Sequence, residues 1–200
     1  MRRTILSGAV MALASLSLAA APAMEWNVDV PHSGIDFRVK HFFTPVQGSF
    51  EEYEAVLLYD RENPEESSVR VRIDVASVNT ANARRDEHLL SGDFFEAERH
   101  PHITFESREV EAVSETELRV RGPLTIKGVT REVELPVTLL GHMEVPADMQ
   151  EMLGGVTEIV SFETALTLDR RDFEVGVGSW AATAVVGKEV DVRIAVEANR

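Results

Sequence analysis

Cationic and imidazole side chains gather in a few short stretches of this 200-residue chain, and each stretch points to a different chemistry. His100-Pro101-His102 is an H-x-H unit with His88 upstream. On a strand, residues two apart share a face, so both imidazoles could converge on one ion. Pro101 at the centre and the lack of a closed ligand set favour plain surface histidines instead. Lys40 and His41 end an alternating segment, where a cation meets a phosphate or hydrogen-bonds a carbonyl, or where a strand simply runs out into solvent. Arg85 could fork onto a phosphate, or it could pair with Asp86, Asp93 or another local carboxylate and fix a turn. The sequence holds no G-x-S-x-G elbow, no H-E-x-x-H, no glycine-rich phosphate loop and no cysteine. No carboxylate pair stands out from the general acidity as an acid–base couple. The expectation is a protein with no catalytic residues, no metal site and no cofactor.

These side chains need elements to position them. Val69, Val71, Ile73 and Val75 alternate with Arg70, Arg72 and Asp74, the period of a strand with one buried face. Ile103 and Phe105 resume that rhythm. Between them, Arg84 to Leu90 has helix formers and neither Pro nor Gly, which predicts a short helical segment near residues 83–91, capped by Asn82 and stopped by Gly92. On it Arg85, His88 and Leu89 share a face. His88 then lines an entrance or bonds to backbone, and Phe94 and Phe95 plug or roof one end of the core.

Strand signals recur at residues 26–30, 35–39, 55–59, 69–75, 102–110, 118–126, 132–140, 159–168 and 190–198. Val133, Leu135, Val137 and Leu139 face one way, Glu132 and Glu134 the other; Val190, Val192, Ile194 and Val196 oppose Asp191, Arg193 and Glu197. One apolar and one wet face argue for antiparallel strands without covering helices. Lys127-Gly128 marks a tight hairpin. Eight or nine such strands make either a barrel or a sandwich, and alternation does not choose between them.

Four strings in sequence order closely resemble the YceI-like family of polyisoprenoid-binding proteins. They are HSGIDFRVKH from His32, the run Asn82, Arg85, Asp86, His88, Leu89, Asp93, Phe94, Phe95, then GPLTIKGVTREVELPV from Gly122, and RRDFEVGV from Arg170. The resemblance spans nearly all of residues 24–200. It implies an all-β fold, a lipocalin-like antiparallel eight-stranded β-barrel with an elongated apolar cavity. It also implies non-catalytic binding, storage or transport of a long-chain isoprenoid, either a prenyl quinone or a polyprenyl phosphate. The ligand-binding candidates are Phe37, Lys40, His41, Phe50, Asn82, Arg85, His88, Phe94, Phe95, Phe105, Phe162 and Phe173, with Trp26 as a further lining candidate. Two departures stand out: His100-Pro101-His102 where relatives carry Y-P-x, and HMEVPADMQEMLGG from His142, where they carry a P-W-G-G-like segment. Met143, Met149, Met152 and Leu153 make the latter apolar enough to pack over an opening, or to form an ordinary surface loop. Glu174 stands where a Gly often follows Asp-Phe. Two other functions stay open: a fatty-acid or fatty-amide binder in the same barrel, and a metal-dependent or quinone-linked redox accessory enzyme.

The N-terminus reads as a cleaved signal peptide at residues 1–23: Arg2-Arg3, an apolar run from Ile5 to Ala20, and Ala21-Pro22-Ala23 as a small-x-small site. The mature domain is then residues 24–200, and its expected location is the periplasm. With 34 acidic against 20 basic residues the formal charge is −14, and loss of Arg2 and Arg3 takes it to −16. That field disfavours nucleic acid as a partner. A transient contact with a membrane or membrane cytochrome is compatible with the lipid reading, as is a monomer or a homodimer. Without cysteine, stability rests on one packed core.

Overall fold

The computed structural model describes residues 23–182 and 184–200; the expected signal segment lies, but for Ala23, outside the described residues. Its strands are β1 Met24–Val28, β2 Gly34–His41, β3 Thr44–Phe50, β4 Tyr53–Tyr59, β5 Ser68–Asp74, β6 Val78–Asn79, β7 His102–Glu106, β8 Glu109–Ala112, β9 Glu117–Ile126, β10 Val129–Glu144, β11 Glu158–Asp169 and β12 Val186–Asn199. Two helices interrupt them, α1 Ala83–Leu90 and α2 Ala147–Gln150.

These strands close into an eight-stranded antiparallel barrel, because several are halves of longer ones. β1 and β2 form one side of a long hairpin, broken by a tight turn at Val30–His32 where Pro31 cannot donate to the ladder. β3 and β4 form the other side, with Ile35 opposite Phe50 and Met24 opposite Tyr59. β7 and β8 likewise share β9, with Phe105 opposite Leu124 and Val110 opposite Val120. The circuit runs β12, β1/β2, β3/β4, β5, β7/β8, β9, β10, β11 and back to β12, with β6 continuing β5 along the edge of β3. Closure pairs the main circuit on both sides, and among the described residues β3 keeps an unpaired outer edge from Thr44 to Gly48.

The alternating residues face as the period requires. Val133, Leu135 and Val137 of β10 and Val192, Ile194 and Val196 of β12 all point inward. Their polar neighbours form cross-strand ion pairs on the outer wall, including Arg72 with Glu54 at 2.9 Å, Arg193 with Glu163 at 2.8 Å and Arg121 with Glu134 at 2.8 Å. Being exposed, each contributes little to stability; together they set register. The Lys127-Gly128 hairpin has positive φ at both central residues, as a two-residue turn between twisted strands demands.

Two expectations change. Thr44–Phe50 is a strand that the periodicity did not announce, since Pro45 and Gly48 break the pattern; both are tolerated here because β3 meets a second neighbour only at Ser49 and Phe50. The helix ends at Leu90 with Ser91 as its cap, one residue before Gly92, the Ser91 hydroxyl donating to the His88 carbonyl at 2.7 Å. The Asn82 cap is as expected, its side chain accepting from the Arg85 N–H at 3.1 Å.

Candidate functional site

Inside the barrel lies an apolar cavity of about 230 Å³. Phe37, Phe50, Phe105 and Phe162 line it together with aliphatic residues from every side of the barrel. One end is shut by a packed cluster of Trp26, Tyr59, Val160, Phe162 and Ala198. There the Trp26 indole donates to the Tyr59 carbonyl at 3.1 Å, Tyr59 meets Phe162 edge-on at 5.0 Å, and the Arg200 guanidinium lies 4.8 Å from the Trp26 ring. Trp26 is therefore part of the floor and not of the lining, although Val28 of the same strand reaches the lumen.

At the other end lies a recess of about 580 Å³, and Phe37 lines both spaces. Lys40 and His41 from the end of β2, Asn82, Arg84, Arg85, His88 and Leu89 around α1, Phe94 and Trp180 form this mouth. Phe37 lies over Gly48, where an added Cβ would sit 2.4 Å from the ring, so the bare backbone of β3 lets the phenyl stand at the throat. Cavity and mouth together fall within the roughly 300–1,000 Å³ typical of small-molecule sites.

A hydrogen-bond network fixes the helix to the mouth. Arg85 donates from Nε to the Thr80 hydroxyl at 2.7 Å and from Nη2 to the Thr80 carbonyl at 2.6 Å. Asp86 accepts from the Thr80 N–H at 3.0 Å and from its hydroxyl. The expected pairing of Arg85 with a carboxylate is thus replaced by a pairing with Thr80, because Asp86 points at the same residue from the next position. His88 does not bond to backbone through its ring: Nε2 lies 3.0 Å from Asp93 Oδ2, which also accepts from the Trp180 indole at 3.1 Å. The same imidazole packs edge-on against Phe94 and Trp180, at 5.1 and 5.0 Å. Among the described residues, Lys40, Arg84 and Arg85 have no carboxylate within ion-pair distance, in contrast to the paired arginines of the outer wall.

The His88 ring and the Trp180 indole hold the Asp93 carboxyl below its ordinary 3.8, in that order of influence. A carboxyl with its folded value depressed adds stability above the unfolded value and loses it as pH falls through the folded one. Trp180 emission is therefore expected to titrate with a midpoint below 3.8. Asp93→Asn should remove that transition, with Trp180→Phe as the blank for Trp26.

The twelve expected ligand residues divide by place. Phe37, Phe50, Phe105 and Phe162 line the cavity; Phe37, Lys40, His41, Asn82, Arg85, His88 and Phe94 line the mouth. Phe95 and Phe173 line neither: Phe95 packs on Phe50 at 6.0 Å between rings, and Phe173 is buried with Phe94 and Val175. Phe173 lies past the end of β11, in a tight turn whose side chains no longer follow the strand alternation. Arg84, Thr80 and Trp180 were not anticipated; Trp180 follows a Gly-Ser step without periodicity and gave no signal. His100 and His102 do not converge. His100 packs over Gly128 with Glu96 at 3.9 Å, while His102 starts β7 with a buried, unpartnered Nδ1. Among the described residues, the ligating groups that do meet, Asp29, His32 and Glu197, lie elsewhere, at the β1–β2 break. The Met-rich segment around α2 sits at the floor end, with Val145 and Thr157 bonded to each other and Thr157 to Arg200, so it covers no part of the mouth.

The YceI-like domain family matches residues 26–198. A UPF0312 protein of Pectobacterium carotovorum is 33% identical over 202 residues, covering all of this chain and 98% of its own. The crystal structure of Burkholderia cenocepacia BcnA superposes with a TM-score of 0.76 at 26% identity, over 86% of this chain and 99% of that one. A polyisoprenoid binding domain from Saccharophagus degradans, implicated in plant cell wall breakdown, shares the fold with a TM-score of 0.64 at 17% identity, over 88% and 98% of the two chains. A closed barrel with one apolar lumen and a match running from its first strand to its last leave one assignment: the chain belongs to the YceI-like family.

Proposed function

We propose that this protein binds a long-chain isoprenoid lipid, tail in the barrel and head group in the mouth, and carries or stores it without bond chemistry in the periplasm. The observation that supports this most directly is the adjacency of an almost wholly apolar lumen to a recess whose lysine and arginines lack carboxylate partners, with Phe37 lining both. Burying about ten methylene equivalents at ~0.8 kcal/mol each gives ~8 kcal/mol before ordering costs, enough for micromolar retention. The polyisoprenoid binding domain of Saccharophagus degradans, on the same fold, lends the chemical class. The signal-like N-terminal sequence supports the compartment.

Lys40 and Arg84 suit an anionic head, since a phosphate meets two cations there with no internal competitor. Titrating the mature chain with a polyprenyl phosphate and with a prenyl quinone of equal tail length separates the head groups. Lys40→Ala with Arg84→Ala is expected to weaken the phosphate about tenfold and leave the quinone unchanged. Equal loss for both lipids would place the head group elsewhere. Tighter retention of a fatty acid or fatty amide than of either isoprenoid would overturn the isoprenoid assignment.

A further inference from the structure

The mouth is framed by an apolar rim unlike the rest of this acidic surface. At the β2–β3 turn, Phe42 and Phe43 project past the barrel end, 54% and 94% exposed. Beside them runs the segment 175–187, thirteen consecutive residues without a charge in a chain that is 27% charged. The two are joined where the Phe42 N–H donates to the Val185 carbonyl at 2.8 Å. Val177, Ala181 and Ala182 of that segment are exposed as well. An aromatic fully in water at a hairpin tip, next to an uncharged loop, is a surface made to be covered.

The charges around this rim say what covers it. The chain has three lysines, and all three lie at this end. Lys40 lines the mouth, Gly187 lies against Lys40 and carries Lys188 next to it, and Lys127 reaches the Gly92 and Glu174 carbonyls at 3.2 and 3.0 Å. Arg84 adds a fourth cation. Most carboxylates nearby are engaged: Asp93 by His88 and Trp180, Asp169 by Arg171, Glu189 by Lys188 at 3.6 Å. Glu87, Asp172 and Glu174 remain as opposing charges. The floor end offers the contrary case. Its exposed Met143, Met149, Met152 and Leu153 are interleaved with Glu144, Asp148 and Glu151, and no Lys or Arg occurs from Met143 to Thr157.

We infer that the β2–β3 tip and the exposed Val177, Ala181 and Ala182 beside it dock the mouth on an anionic phospholipid bilayer, with Phe42 and Phe43 entering the interface and Lys40, Arg84 and Lys188 meeting the head groups. Shallow insertion of an aromatic tip ringed by cations is the balance of apolar burial and headgroup attraction that interfacial anchors use. The net negative charge of the barrel does not prevent this. At physiological salt the Debye length is about 8 Å, so the wall and floor carboxylates are screened from the membrane while the rim cations touch it. Docking places the mouth, with Phe37 between it and the lumen, at the bilayer surface, where a lipid would enter without crossing water.

The test uses the mature chain and vesicles of phosphatidylglycerol and phosphatidylethanolamine free of isoprenoid, so its failure is separate from failure of the ligand reading. Sedimentation with these vesicles at about 0.1 M salt is expected, with little binding to phosphatidylcholine vesicles. Phe43→Ser should weaken it about tenfold without altering the circular dichroism melt, since that side chain packs against almost nothing. Because the chain has no cysteine, Phe43→Cys and Met152→Cys each accept one environment-sensitive label. A blue shift on vesicles at position 43 alone supports docking by the mouth. Absence of vesicle binding, indifference to Phe43→Ser, or a shift at position 152 instead would overturn it.

Discussion

Ala55→Trp is expected to abolish retention of the isoprenoid while the barrel still folds. Ala55 is a small inward residue of β4, opposite Val71 and between Tyr53 and Leu57 on the lumen face. An indole there takes up much of a cavity of about 230 Å³ and stands where the lipid tail must lie. Overpacking of this kind costs about 1–3 kcal/mol, which a single well-closed domain survives. Loss of affinity should exceed about a hundredfold, because the tail supplies nearly all of the favourable burial. The control is Val56→Trp, one residue along and facing solvent, which should bind as the parent does. Fluorescence titration with a prenyl quinone reads both. Unchanged binding in Ala55→Trp would mean that the tail does not enter the barrel.

The second large effect concerns stability and centres on Arg170, which is 5% exposed. Its guanidinium donates to five backbone carbonyls: Gly187 at 2.9 Å from Nε, Val175 at 2.8 Å and Gly176 from Nη1, Trp180 at 2.8 Å and Val186 at 3.0 Å from Nη2. Every N–H is used, and burial pulls its pKa down without a paired carboxylate. The fork thus ties the start of β12 and the 175–187 loop to the end of β11. Gly176 is required beside it, at φ 62° and with no room for a Cβ, which would sit 2.6 Å from Nη1. Arg170→Met leaves those carbonyls unanswered in a buried place, and about 3–5 kcal/mol of destabilisation is expected. For a domain of this size that lowers the melting temperature by roughly 6–20 °C. Arg170→Lys should recover little, since an ammonium has three donors and no fork. A lysine variant that melts with the parent would show that one point charge suffices.

The strand faces were legible in the sequence because their burial is one-sided. Val69 to Val75, Val133 to Leu139 and Val190 to Val196 alternate cleanly, and each set lines the lumen or its ends. Closure was not legible in this pattern, since a sandwich alternates in the same way; it depends on strands that bend and switch partners at Pro31 and between β7 and β8. β3 escaped notice because Pro45 and Gly48 weaken it, and Gly48 is where Phe37 needs space. Around the mouth, motif residues on α1 kept their expected place, since a helix of 3.6 residues per turn brings Arg85, His88 and Leu89 to one side. The partners did not follow from spacing: Thr80 takes Arg85, and Trp180 comes from 87 residues beyond Asp93. Phe173 illustrates the opposite error, where an aromatic near a strand end reads as lining although the chain has already turned into the packed layer behind the mouth.

The central claim is that the lumen holds an isoprenoid, and native mass spectrometry of the mature protein from its own cells tests it most directly. The expected result is a one-to-one complex that releases, on organic extraction, a long-chain isoprenoid whose accurate mass names its head group, and that is absent from Ala55→Trp. A protein that flies empty, or that carries only a metal ion or a non-isoprenoid lipid, would contradict it.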